Sequence, residues 1–67
     1  MHPVVTYYGK PIQTIQYEQF KIDYVLWDKG VRLIEVNKYP HQWMSNFEFS
    51  YFMNVLLKFK SEGKLNG

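Results

Sequence analysis

Cysteine is absent from this sequence, and Arg32 is the only arginine among its eight basic residues. Without thiols the chain can form neither disulfides nor the thiolate sites that hold structural zinc. The scarcity of arginine disfavours nucleic-acid binding, because arginine is the side chain that pairs through two parallel hydrogen bonds with phosphate and guanine. The net charge of +2 is also too small to indicate a nucleic-acid partner by itself.

Long apolar runs are absent as well. No stretch approaches the ~18–20 apolar residues that span a bilayer. Residues 1–6 lack the basic region and apolar run of a signal peptide. We therefore expect no membrane partner and a cytoplasmic location, which would be the host cytoplasm if a virus encodes the chain.

Aromatic side chains are abundant: five Phe, six Tyr and two Trp make up 19% of the 67 residues. A chain of this length buries only about 60% of the surface that its unfolded form exposes. Each enclosed aromatic ring contributes ~150–250 Å² of buried area, so the aromatics can compensate for the small size. We expect one small globular domain that spans residues 1–67.

Alternation between apolar and polar residues indicates β-strands in the first half of the chain. The turn residues Asp28, Lys29 and Gly30 separate the two clearest runs. Gly9 to Pro11 favours a short hairpin between two weaker runs, and residues 37–44 interrupt the pattern and predict a loop. These signals predict an antiparallel meander of three to four strands, at about 4–8, 12–17, 20–28 and 31–37.

The register of the clearest hairpin determines which side chains face the core. A regular register that begins with Trp27 opposite Val31 pairs Tyr24 with Ile34. Its outward face then presents a second apolar patch, made of Val25, Val31 and Leu33. Three alternatives are open for what covers this patch: the N-terminal strands, a second copy of the chain in a homodimer, or a binding partner.

The last third of the chain has the pattern of a helix. Ser45 and Glu48 have the spacing of a capping box, and Gly63 is a natural stop. We expect a helix at about 46–62 that packs on the meander, which gives an α+β fold. Its apolar arc is wider than the ~100° that one sheet face requires. Phe47 and Tyr51 lie one turn apart outside that arc, among polar residues.

No pattern of residues indicates catalysis or metal binding. Ser45 is better explained as a helix cap than as an activated nucleophile, and His2 and His41 lack the converging ligands of a metal site. Asp23 and Glu35 face each other in the predicted register, where a solvated sheet face explains them better than paired-carboxylate catalysis does. We therefore expect no enzymatic activity, no cofactor and no metal.

These features favour a small non-enzymatic regulator that binds a host or cellular protein, most concretely a phage or mobile-element inhibitor of a host protein. Aromatic residues and arginine predominate at interface hot spots, and the expected anchors are Trp27, Arg32, Trp43, Phe47 and Tyr51. One alternative is nucleic-acid binding by aromatic rings interleaved with cations, with contacts from Lys21, Lys29, Arg32 and Lys38. The other alternative is a homodimeric structural accessory protein.

Overall fold

The computed structural model of the chain describes residues 6–7 and 9–65. A two-stranded antiparallel sheet pairs β1 (Thr6–Tyr7) with β2 (Lys10–Pro11). The main sheet is antiparallel, and its four strands are neighbours in chain order: β3 (Gln13–Tyr17), β4 (Phe20–Trp27), β5 (Gly30–Val36) and β6 (Tyr39–Pro40). A 3₁₀ turn (His41–Trp43) leads into helix α1 (Asn46–Ser61), which packs on this sheet. The predicted α+β class, a meander followed by one helix, is confirmed.

Two stretches differ from their predicted structure. In the predicted hairpin between 4–8 and 12–17, the turn is shorter than Gly9 to Pro11, because Lys10 and Pro11 form β2 and pair with Tyr7 and Thr6. Positions 4, 5 and 8 of the first predicted strand lie outside the described residues. The predicted loop at 37–44 contains β6, which pairs with the end of β5, and the 3₁₀ turn.

A β-bulge at Ile34 sets the register of the β4–β5 hairpin. Before the bulge the pairing agrees with the prediction, and Ile22 lies opposite Val36. Beyond it Tyr24 pairs with Leu33 rather than with Ile34. Because a bulge places two residues of one strand opposite one residue of the other, every later pair is displaced by one position.

The displaced register corrects the prediction of an outward apolar patch. Leu33 and Val31 belong to the face that packs on α1, and both are buried in its core cluster. Val25 lies outside this cluster, yet it is also fully buried, and β2 contacts its strand. Trp27 lies opposite Gly30 instead of Val31. Val31 and Leu33 are therefore buried because a one-residue shift exchanges the faces of a strand, whereas Val25 is buried outside the core cluster.

The core lies between the main sheet and α1. Its helix residues, Phe52, Val55 and Leu56, occupy adjacent positions on one helical face. Burying a large apolar side chain fully is worth about 1.5–3 kcal/mol, so this cluster supplies much of the stability of the fold. The strands contribute Ile22, Tyr24, Val31, Leu33 and Val36.

Both ends of α1 are capped as the sequence predicts. Ser45 Oγ accepts a hydrogen bond from the Glu48 amide at 3.1 Å, and Glu48 Oε1 accepts one from the Ser45 amide at 2.9 Å. At the other end Gly63 adopts a φ of 72°, and the Lys64 amide donates to the Phe59 carbonyl at 2.9 Å. Within the described part of the chain, no helix is long and apolar enough to cross a membrane.

Candidate functional site

Helix α1 presents two aromatic side chains to solvent near its N-terminus. Phe47 is 89% exposed, and Tyr51, one turn later, is 48% exposed. Phe47 lies outside the helical face that contacts the sheet, as the helical wheel predicts, whereas Tyr51 lies at the margin of that face. Tyr51 is held in place by Tyr17 of β3, because the two hydroxyl oxygens lie 3.0 Å apart and share a hydrogen bond.

This hydroxyl pair alters the acidity of Tyr17. The hydrogen bond with Tyr51 raises the pKa of Tyr17 to about 12, and both partial removal from water and the nearby Glu18 carboxylate act in the same direction. The pKa rises because ionisation would place a negative charge where the folded chain provides a phenol partner and a carboxylate. The pair is therefore a neutral link between β3 and α1 at physiological pH.

A tight turn after β5 positions Tyr39 and Trp43. Asn37 and Lys38 have positive φ values of 51° and 65° and form the two-residue connection from β5 to β6. Asn37 tolerates this conformation well, and its Oδ1 accepts a hydrogen bond from the Lys21 amide at 2.8 Å. Trp43 follows in the 3₁₀ turn, where its ring lies edge-on to Tyr39 with the centroids 6.1 Å apart.

Two open grooves lie beside three of these exposed rings, those of Tyr39, Phe47 and Tyr51. One has a volume of about 320 Å³ and is lined by Phe20, Val36, Asn37, Tyr39, Met44, Glu48 and Phe52. The other has a volume of about 390 Å³ and is lined by Phe20, Phe47, Glu48, Tyr51 and Phe52. Because three residues line both grooves, the grooves are adjacent. We name these two grooves, the three exposed rings that line them and Trp43, which contacts Tyr39, the aromatic surface.

Contacts between rings fix the floor of the grooves. Phe52 is buried in the core, and its ring lies 5.1 Å from that of Phe20 and 5.1 Å from that of Tyr51, centroid to centroid. Both contacts are edge-to-face, the arrangement in which the positive edge of one ring meets the negative face of the other. The floor of the aromatic surface is therefore held by the core of the domain.

The electrostatics of the aromatic surface depend on Glu48, which is the one charged residue lining the two grooves in the described part of the chain. Its Oε1 accepts the Ser45 amide at the start of α1, where the helix dipole favours negative charge. The aromatic surface also has hydrogen-bond donors, at Tyr39 and Trp43. Within the described residues, neither the Tyr39 hydroxyl nor the Trp43 indole N–H has a hydrogen-bond partner. The surface thus combines apolar grooves with one carboxylate and free donors.

The five predicted anchor residues fall into two separate groups. Trp27 ends β4, whose eight residues span roughly 23 Å from Phe20, and Arg32 lies near it on β5. The Lys29 ammonium lies 5.8 Å from the centroid of the Trp27 ring. A binding role for this end of the hairpin stays a prediction. The anchors that the structure brings together on the aromatic surface are Trp43, Phe47 and Tyr51.

The four predicted nucleic-acid contacts do not converge on one surface. Lys21 and Lys38 line a polar groove beside the Asn37 turn. Lys29 and Arg32 lie at the opposite end of the β4–β5 hairpin. Cations that bind a nucleic-acid backbone have to follow successive phosphates, and these four form no continuous basic patch.

The polar groove at Lys21 is of mixed charge. Asp23 lines it and lies opposite Glu35 across the hairpin, as the predicted register has it. Thr14 Oγ1 donates a hydrogen bond to Asp23 Oδ1 at 2.7 Å. Lysines and carboxylates therefore occupy neighbouring positions, an arrangement that favours neither a polyanionic ligand nor chemistry by paired carboxylates.

His41 has a contact that fits its interpretation as a loop residue. Its Nδ1 donates to the carbonyl oxygen of Ile34, the bulge residue, at 3.3 Å, and its ring packs beside Phe49. Among residues 6–7 and 9–65, no three His, Asp or Glu side chains are grouped closely enough to hold a metal ion. His2 lies outside the described residues.

Several contributors to the aromatic surface were not among the predicted site residues: Phe20, Tyr39, Met44, Glu48 and Phe52. The first and the last of these have the periodicity of core residues. Tyr39 falls in the predicted loop, although an asparagine in a two-residue gap between extended runs is a hairpin signal. That signal, at Asn37 and Lys38, would have placed Tyr39 opposite Val36, where the structure has it.

Comparison with known proteins provides no relative from which a function could be transferred. No protein-family model matches the chain, and neither does any curated protein or solved structure. The aromatic surface is therefore the feature from which a function has to be inferred.

Proposed function

We propose that this chain is a small non-enzymatic regulator that binds a cellular protein through the aromatic surface. The observation that supports the proposal is the exposure of Phe47, at 89%, and of Trp43, at 67%, beside two grooves lined with aromatic rings. In its most concrete form, the proposal is that a phage or mobile element encodes the chain and that it inhibits a host protein in the host cytoplasm.

Exposed rings of this kind contribute little to folding. Removing a Phe side chain from water is worth about 1.5–3 kcal/mol, but Phe47 leaves nearly all of its surface in water. Clustered apolar side chains on a small domain mark interaction sites. Trp and Tyr are also the residues on which interface binding energy most often depends, and the aromatic surface contains one Trp and two Tyr.

The preformed shape of the surface supports binding as well. Phe20 and Phe52 are packed against each other, and the Tyr17 hydroxyl holds Tyr51. Ordering mobile side chains costs free energy when two proteins associate, and here part of that ordering is complete before the partner arrives.

Two alternative functions, homodimer formation and nucleic-acid binding, predict different results when the proposal is tested. A homodimer would cover the aromatic surface of one copy with that of another. Nucleic-acid binding has less support, because Lys21 and Lys38 lie at one end of the hairpin and Lys29 and Arg32 at the other. Both alternatives remain predictions from the sequence.

Site-specific photo-crosslinking tests the proposal directly. Benzoylphenylalanine is placed at position 47 and, as a matched control on the same helix, at position 57. Leu57 is 48% exposed but lines neither groove. In an extract of the cells in which the chain acts, we expect one discrete protein adduct from position 47 and none from position 57.

The other outcomes separate the alternatives. An adduct between two copies of the chain at position 47 would favour the homodimer, and an adduct that nuclease digests would favour nucleic acid. Equal adducts at both positions would contradict a binding surface at the start of α1. A discrete adduct from 47 alone also identifies the partner for measurements with purified proteins.

A further inference from the structure

Two hydrogen-bond donors lie at the rim of the first groove, at Tyr39 and Asn37, and a third lies next to Tyr39, at Trp43. Tyr39 has a free hydroxyl, and Trp43, whose ring contacts it, has a free indole N–H among the described residues. Asn37 lines the same groove, and because its Oδ1 accepts from the Lys21 amide, its side-chain NH₂ is left to donate elsewhere. Three donors beside an apolar groove suit a ligand that brings acceptors as well as apolar surface.

An extended backbone supplies such acceptors, whereas an α-helix does not. The carbonyl groups inside an α-helix are already bonded within the helix. A polyproline II segment has no internal hydrogen bonds, so all of its carbonyl groups point outward. Its proline rings are apolar and rigid, and proline-rich segments dock in grooves lined by aromatic side chains. The donors at Tyr39, Trp43 and Asn37 therefore favour the extended ligand.

The position of Glu48 specifies the charge of the ligand. Glu48 lines both grooves, and among the residues that the structure describes no lysine or arginine lines either one. Its bond to the Ser45 amide uses one carboxylate oxygen and leaves the second for a partner. A ligand that crosses from one groove to the other passes this carboxylate, so a basic side chain on the ligand complements it.

We propose that the aromatic surface recognises a proline-rich segment of the partner in the polyproline II conformation, with a lysine or arginine beside Glu48. This inference rests on the proposed function and specifies the class of ligand. The two adjacent grooves accommodate successive proline-containing units, and the rim donors bind the backbone carbonyl groups between them.

Nuclear magnetic resonance titration with synthetic peptides tests the inference. The ¹⁵N-labelled chain is titrated to millimolar concentration with a peptide of repeated proline pairs that has an arginine at one end, and with the same peptide in reversed sequence. The matched control replaces every proline with alanine, which favours a helix. We expect the Trp43 indole and Asn37 side-chain resonances to shift with the proline peptide while the Trp27 indole does not move.

Three variants assign the interactions. Trp43→Ala should weaken proline-peptide binding at least tenfold, whereas Trp27→Ala should leave it unchanged. Glu48→Gln retains the capping box, because glutamine serves at that position too. It should weaken binding of the arginine peptide about two- to fivefold, the range of an exposed ion pair, and leave a peptide without arginine unaffected. Because the Trp43 side chain is largely exposed, its removal leaves the core intact.

Three results would overturn the inference: no shifts with either peptide orientation, shifts centred on Trp27, or tighter binding of the alanine control. Photo-crosslinking shows whether only the proline-rich ligand class is wrong or whether the proposed protein binding is wrong as well. If position 47 still forms a discrete protein adduct when the proline peptides do not bind, the partner is a protein of another class. If both experiments fail, the proposed function fails as well.

Discussion

The hydroxyl groups of Tyr17 and Tyr51 meet at 3.0 Å and join β3, at the edge of the main sheet, to the first half of α1. Tyr17 also packs edge-on against Phe59 further along the helix, with the ring centroids 5.8 Å apart. One side chain of the edge strand thus contacts the helix at two points separated by two turns. This connection supports Tyr51, which borders the second groove of the aromatic surface.

The raised pKa of Tyr17 makes the stability of the fold depend on pH in the alkaline range. The phenol ionises near pH 10.0 in the unfolded chain and near 12 in the folded one. The stabilisation is therefore fully present below about pH 10 and is lost as the pH rises through about 12. Urea denaturation should show a steeper fall in the free energy of unfolding across this window for the natural chain than for Tyr17→Phe. Equal slopes in the two proteins would contradict the link.

Leu56 and Leu57 are adjacent in the sequence but differ in burial. Leu56 is fully buried at the centre of the helix face, and Leu57 is 48% exposed. Leu56→Ala should lower the free energy of unfolding by about 2–5 kcal/mol, and Leu57→Ala should change it by no more than about 0.5 kcal/mol. Thermal denaturation followed by circular dichroism measures both. Similar losses in the two variants would reject the orientation of α1.

Lys38 occupies a backbone conformation that favours glycine. Its φ of 65° places it in the left-handed region, in a turn that commonly has glycine at this position. Lys38→Gly should stabilise the domain by about 0.5–1 kcal/mol, because relief of this strain outweighs the added freedom of the unfolded chain. The control is Lys38→Ala, which removes the same charge without relieving the backbone. If chemical denaturation gives both variants the same stability, the turn is not strained.

The local elements could be predicted from the sequence because their signals are local. Ser45, Glu48 and Gly63 specify the helix ends through contacts within a few residues, and the structure has both caps in place. Alternation in β4 likewise follows from residues within one strand. The bulge at Ile34 has no such local signal, because it depends on which side chains of β5 the completed core accepts. For that reason the predicted register failed beyond Asp23.

The candidate site could be predicted only in part, for the same reason. Phe47 and Tyr51 were found because a helical wheel relates residues that are close in sequence. Trp43 was named for its residue type alone, and its contact with Tyr39 depends on the Asn37 turn. The grooves also require Phe20, from a different strand, and pairings between distant segments are not encoded in any single stretch of sequence.

The central claim is that the aromatic surface binds a protein partner. Calorimetric titration of the chain with the purified partner, once crosslinking has identified it, tests this claim most directly. We expect a negative change in heat capacity on binding, since apolar area leaves water. Trp43→Ala and Phe47→Ala should each weaken the affinity at least about tenfold, the effect of an interface hot spot, while Leu57→Ala leaves it unchanged. Unaltered affinity in both aromatic variants would contradict the claim.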